Sequence, residues 1–229
     1  MRLFTQLTTL VILFLSFSMN AQDSYTMTIE SSEPVATPGT TYRFYANMLD
    51  ATDRFSAVYG HNISPITISA PAGVFNSAAN ASWSASGINP AFIAFFPDMV
   101  DDTYATIGLE GPASSSGIAD SADPSMVEDS SQSITPFFTA NGETNLEINT
   151  VTGGSYYVLN TASNGLPNDD MRVLIMQITT AGSLSGIINF QVFPLGVGAD
   201  AIYVSANFSE GGVDVLGCMT AFACNYNPD

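Results

Sequence analysis

The sequence predicts an all-β fold, an antiparallel β-sandwich of jelly-roll type built from about ten short strands. Three observations carry this. Apolar residues recur with period two through most of the chain, the pattern of strands that bury one face. Glycine, proline and asparagine cluster between those runs, where turns need them. No window sustains the capped 3.6-residue apolar period of a helix. Many short strands punctuated in this way pack as two sheets around one core.

The elements follow in order. Tyr25, Met27 and Ile29 alternate with Thr26, Thr28 and Glu30; after the turn "TPGT" (37–40), Tyr42, Phe44, Ala46 and Met48 alternate with Thr41, Arg43, Tyr45 and Asn47. The period continues at Phe55, Ala57 and Tyr59, and at Ile66 and Ile68 before the turn "APAG" (70–73). "AFIAFF" (91–96) does not alternate and reads as a strand covered on both faces or a short buried helix. Residues 110–133, "EGPASSSGIADSADPSMVEDSSQS", are small, polar and acidic, which predicts a long loop across the end of the sandwich, either functional or a mobile insertion. Leu146 and Ile148 resume the alternation, and "YYVL" (156–159) and "VLIMQI" (173–178) suit doubly covered strands. "TTAGSLSG" (179–186) predicts a hairpin joining 173–179 to 186–193. The last strands carry Ile188, Phe190 and Val192, then Ile202, Val204, Ala206 and Phe208. Residues 22–212 therefore read as one domain. "SEGGVD" (209–214) reads as a short linker before the cysteine segment, and residues 213–229 as linker and cysteine segment together.

The first residues are an address. Arg2, the apolar run from Leu10 to Leu15, and then Ser16, Ser18 and Ala21 predict a secretory signal peptide over 1–21. The run falls short of the ~20 residues of a membrane span, and no later segment is apolar enough for one. The chain beyond residue 21 is expected to be secreted or displayed at the outer cell surface. There, three arginines (Arg43, Arg54, Arg172) and no lysine face 21 acidic residues, leaving a net charge of −18. Such a surface repels nucleic acid and anionic lipid. With 46% hydrophobic and only 11% charged residues, the chain is a folded acidic domain and not a disordered acidic tail.

Chemistry-bearing residues are sparse. The one histidine, His61, follows a strand and has no serine or cysteine partner of the kind nucleophilic catalysis requires. Glu30, Glu110, Glu143 and Glu147 supply carboxylates for glycoside hydrolysis, but no spacing pairs them. Calcium fits an acidic chain better than zinc, because it takes six to eight oxygen ligands gathered on loops. Three clusters qualify: Asp98, Asp101 and Asp102; Asp120 and Asp123 with Glu128 and Asp129; and Asn168, Asp169 and Asp170. Trp83, alone among small polar residues, is either a sugar-stacking platform or a plug closing the sandwich end. Asn62, Asn80 and Asn207 each open an Asn-x-Ser triplet, an acceptor for glycosylation in a host that performs it. Cys218 and Cys224 either close a short loop in an oxidising compartment or pair with partners beyond Asp229.

Three runs, "TTYRFYANMLDATDRFSAVYG", "FNSAANASWSASGINPAFIAFFPDMVDDTYATIGLEGPA" and "YYVLNTASNGLPNDDMRVLIMQITTAGSLSGIINFQVFPLG", resemble a recurrent module of very large secreted proteins from aquatic Gram-negative bacteria. The likeness covers most of residues 25–210. It implies an exported surface or extracellular protein and no particular reaction. "GCMTAFACNYNPD" resembles the opening half of a short cysteine-rich repeat of the same kind of protein, with Gly217, Cys218, Ala223, Cys224, Asn225, Tyr226 and Pro228 matching. The resemblance implies that the sequence stops within such a repeat.

The functional expectation is a non-catalytic structural, adhesive or ligand-binding module of a larger surface protein, with glycans or other surface proteins as partners. The alternative is a fragment of a secreted hydrolase, acting through a carboxylate pair or a domain beyond the chain end.

Overall fold

The computed structural model describes residues 24–209 and 212–215. Residues 1–21, where a signal peptide is expected, and both cysteines lie outside the described residues. Twelve strands pair antiparallel and no α-helix forms among the described residues, so the all-β sandwich expected from alternation is what the chain builds.

The strands are β1 (Thr26–Ser32), β2 (Thr40–Asn47), β3 (Arg54–Gly60), β4 (Ile66–Ser69), β5 (Tyr104–Ala105), β6 (Ser125–Val127), β7 (Asn145–Ile148), β8 (Gly154–Tyr157), β9 (Arg172–Thr180), β10 (Ser185–Phe193), β11 (Ile202–Ser209) and β12 (Gly212–Val215). One sheet has the order β1-β2-β9-β5. The larger has the order β12-β11-β10-β3-β8-β6, with β4 also on β10 and β7 on β4. The strand β10 thus bridges two partners on one edge: Ser185–Ile187 pair with β4, and Phe190–Phe193 with β3.

The two sheets bury their facing sides against each other. Phe44 of β2 packs edge-on against Phe208 of β11, with centroids 5.1 Å apart. The hydroxyl of Tyr156 on β8 donates to the Ile175 carbonyl on β9 at 2.9 Å, tying the layers together inside the core. Phe44, Ile175, Ile178, Ile188, Phe190 and Val192 are all sealed from solvent. Packing is close: an apolar void between Val58, Ile68, Ile148, Tyr156, Met176 and Ile188 holds about 10 Å³, room for a single water and nothing larger.

Several expectations are corrected. The run 173–180 and the run 185–193 do not form a hairpin: β9 pairs with β2 and β5, β10 with β11, β3 and β4, so the connection crosses from one sheet to the other. Leu184, in that connection, is 1% exposed. Its side chain turns into the core, which a hairpin tip in solvent does not allow. "AFIAFF" is neither strand nor buried helix but a turn whose phenylalanines face solvent. Residues 212–215 form β12 on the edge of β11 instead of a linker. In β3 the core residues are Phe55 and Val58 and the phase shifts between them, because Ser56 is an extra, bulged residue opposite the consecutive pair Gln191 and Val192 and re-aims the strand. Tyr59 is thereby turned to the outer face.

The acidic segment 110–133 is pinned down. Asn164, 2% exposed, donates to the carbonyls of Ile107 (2.7 Å) and Ala122 (3.0 Å) and accepts from the Ala122 amide (2.9 Å). Gly108 makes room for this clamp: its φ is +66°, and a Cβ there would stand 2.0 Å from the Asn164 carbonyl oxygen. The segment also contributes β6, paired with β8.

Candidate binding face

The outer face of the larger sheet gathers side chains that alternation places opposite to the core. Ser125, Tyr157, Ala57, Gln191 and Tyr203 stand in one lateral row across β6, β8, β3, β10 and β11, set by the pairings Ser125 with Tyr157, Ala57 with Tyr157, Ala57 with Gln191, and Gln191 with Tyr203. Neighbouring strands are about 4.8 Å apart, so Tyr157 and Tyr203 lie roughly 14 Å from each other along the row.

One end of the row is an aromatic corner. Tyr59 and Tyr203 meet at 84° with centroids 5.6 Å apart. His61, two residues beyond Tyr59, lies nearly parallel to its ring at 21° and 5.9 Å. The Gln191 amide donates to the Tyr203 hydroxyl at 2.9 Å, fixing that ring although it is 62% exposed. The Ile63 amide donates to Nδ1 of His61 at 3.2 Å, which puts the proton of the neutral imidazole on Nε2. Burial raises the Tyr59 phenol above its ordinary value, with the Tyr203 phenol adding to the rise. The corner therefore offers two ring faces at right angles, a fixed hydroxyl, an amide and an imidazole N–H.

The residues expected to hold calcium are placed differently. Asp101 and Asp102 are consecutive and both buried, yet serve opposite loops. Asp101 accepts from the amides of Val35, Ala36 and Thr37 at 2.6, 2.7 and 2.9 Å. Asp102 accepts from the Ser77 amide and the Asn80 side chain, both at 2.6 Å, while Asp98 accepts from the Ser77 hydroxyl. Asp123 holds the Ala113 amide, Glu128 those of Ile134 and Thr135, and Asp129 that of Ser131. Asp120 has φ +57° and its carbonyl accepts from Ser163. Asn168 caps Asp170 and Arg172, Asp170 pairs with Arg172, and Asp169 is exposed. Asp101, Asp102, Asp123, Glu128 and Asp129 are thus turned onto backbone amides. Among the described residues, no three His, Cys, Asp or Glu side chains converge as a ligand set.

Of the four carboxylates considered for hydrolysis, three are engaged, Glu30 with Arg172, Glu110 with Arg43 and Glu147 with Asn149, and these contacts bring none of the three against another, or against Glu143, as an acid pair. Asp102 is the group whose titration stands out. Burial pushes its carboxyl up to about 7, outweighing the donors Asn80 and Ser77, and the nearby Asp98 adds to the rise. A raised carboxyl is a functional signal when it faces a cleft, but Asp102 is 1% exposed. A depression of about 170 Å³ nearby is lined by Arg43, Val100, Asp101 and Gln177 and not by Asp102.

Trp83 is half-buried against the core, 6.2 Å from Tyr156, the position of a plug. Asn80 is buried on Asp102, so of the three triplets its side chain is the one sealed from modification.

Sequence reasoning missed the corner. The available signal was Tyr203, an aromatic on the solvent phase of a strand whose other phase carries Val204, Ala206 and Phe208. Comparison of the chain with protein-family models, with curated proteins and with solved structures finds no match.

Proposed function

We propose that this domain is a non-catalytic extracellular module, the adhesive or ligand-binding part of a larger surface protein, and that it takes a neutral glycan on the outer face of its larger sheet. The observation that carries the reading is the right-angled Tyr59–Tyr203 pair, open to solvent on a domain whose interior is closed. Aromatic faces stack on the C–H faces of pyranose rings, while tyrosine hydroxyls keep a polar handle for sugar hydroxyls. Gln191 and Nε2 of His61 add hydrogen-bonding groups beside the rings. Tyr157, roughly 14 Å along the row, gives a chain of several sugars a second contact.

Charge supports a neutral ligand over a sulfated or uronate one. The chain has no lysine after the leader or within it. Its arginines are turned to Glu110 (Arg43), the Ala162 carbonyl (Arg54) and Glu30 (Arg172). The hydrolase alternative has weaker support, because among the described residues the one carboxyl with a raised titration, Asp102, is sealed in the protein.

A glycan array followed by calorimetry tests this. Neutral glycans bind and anionic ones do not; Tyr203→Ala lowers affinity about tenfold or more, the scale of a lost aromatic contact, with an unchanged melting temperature. Binding unaffected by both Tyr203→Ala and Tyr59→Ala overturns the assignment. Glycan cleavage abolished by Asp102→Asn would establish the hydrolase instead.

A further inference from the structure

A second surface, remote in chemistry from the tyrosine corner, is the turn Asn89–Phe96. It is firmly built. The Asn89 side chain accepts from the Ala91 amide at 3.0 Å, the Asn89 carbonyl accepts from the Phe92 amide at 3.0 Å, and the Phe92 carbonyl accepts from the amides of Phe95 and Phe96 at 2.9 Å. Ile93 turns inward onto Ala85, Ile88 and Tyr104, and Tyr104 is held in β5 against β9. A turn fixed in this way sends one apolar side chain in and three phenylalanines out: Phe92, Phe95 and Phe96 are 51%, 77% and 48% exposed.

The three rings expose roughly 350 Å², taking about 200 Å² for a whole phenylalanine. That is the size at which a surface apolar patch is commonly functional. The patch carries no charge to desolvate. From Phe55 to Pro97 the chain has no Asp, Glu, Lys or Arg, and Asp98, the next residue, has its carboxylate on the Ser77 hydroxyl.

Area and charge choose the occupant. A stable dimer needs about 800 Å² from each partner, and two copies of a chain with net charge −17 repel. A lipid layer needs no matching surface, and its interface accepts aromatic side chains to a depth of about 5–10 Å. We infer that the turn Asn89–Phe96 is a membrane-docking prong, which inserts Phe92, Phe95 and Phe96 into the interface of a zwitterionic lipid layer and holds the domain peripherally on it. An anionic layer is a poorer target, since the acidic surface is repelled within a Debye length. Among the described residues no helix is long and apolar enough to cross a membrane, so the contact is superficial.

Vesicle cosedimentation tests this on the chain from residue 22, which removes the apolar leader as a competing anchor. The protein binds phosphatidylcholine vesicles; adding about 30% phosphatidylserine weakens binding at low salt, and about 0.5 M sodium chloride closes the gap. Phe95→Ser lowers the partition coefficient roughly tenfold or more. Replacing Phe92, Phe95 and Phe96 together by serine abolishes binding with the melting temperature retained, because none of the three supports the core. Phe95→Trp shifts its emission to the blue on adding vesicles. Failure to bind phosphatidylcholine, binding retained by the triple variant, or a concentration-dependent dimer dissolved by Phe95→Ser would each overturn the proposal. The glycan reading is tested separately through Tyr203.

Discussion

Asp101 and Asp102 show how far one position changes the work of a side chain. Asp101 ends the 3-10 turn Pro97–Asp101 and Asp102 already has an extended backbone, so the two side chains leave in different directions, and one clasps the loop 35–37 and the other the loop 77–80. Asp102 also carries a pH dependence. An unfolded aspartate titrates near 3.8, whereas burial holds folded Asp102 up to about 7. Between those values the folded protein keeps a proton that the unfolded chain has lost. Unfolding releases it, so stability from this group is full at low pH and declines as pH rises from about 4 to about 7, by on the order of a few kcal/mol. Urea titrations at about pH 5 and pH 8 are expected to show the native protein weaker at the higher pH. Asp102→Asn flattens that difference while lowering stability at pH 5, since an amide accepts at only one atom. Equal pH dependence in both proteins would show that the carboxyl titrates normally.

At the scale of elements, the connections set what the strands can do. The loop between β1 and β2 is mostly exposed and makes little apolar contact, so its order depends on Asp101 taking three consecutive amides. Asp101→Ala is expected to cost about 2–3 kcal/mol, below the sum for three charge-assisted bonds because water replaces them in an exposed loop. Hydrogen exchange should lose protection at Val35, Ala36 and Thr37 with little change in β9. A uniform loss over the whole sheet would mean that the aspartate supports the core and not the loop. The segment 75–109 makes a comparable contribution to β9, whose outer side it covers: the Phe75 amide donates to Thr179, Thr106 to Ile175 and Gly108 to Leu174. That cover explains why β9 is buried along nearly its whole length. It also positions the Phe92–Phe96 turn, which hangs from the same segment by Ile93.

For the whole molecule, charge is the largest unbalanced term. Beyond residue 21 the three arginines are the only Lys or Arg side chains, and acids outnumber them seven to one. Self-repulsion should therefore dominate the salt response. Raising sodium chloride from about 20 mM to about 0.5 M is expected to raise the melting temperature by several degrees in calorimetry; a fall would mean that the ion pairs of Arg43 and Arg172 outweigh the repulsion. Calcium against magnesium at matched ionic strength tests the calcium expectation separately. Because Asp101, Asp102, Asp123, Glu128 and Asp129 are turned onto amides, a specific ion has to displace those bonds to bind there, and a rise with calcium alone would show that it does so.

The period of two made the class of fold legible from sequence, along with the inward side chains of β1, β2, β4, β7, β10 and β11, since a strand with one buried face writes that face into alternate residues. Composition likewise determined the sign and size of the surface charge. Pairing was not legible: whether β9 and β10 share a sheet depends on where Leu184 finds a cavity, and that cavity is made by strands distant in sequence. The bulge in β3, with Ser56 as its extra residue, is a tertiary feature too, and it turns Tyr59 outward. The tyrosine corner needs β3, β10 and β11 side by side, and the exposed phenylalanines need Ile93 to take the only inward place. Local sequence settles which face of an element is apolar; only the assembled sheets decide which apolar or aromatic side chains are left in the solvent, because burial is a property of the neighbours a residue acquires.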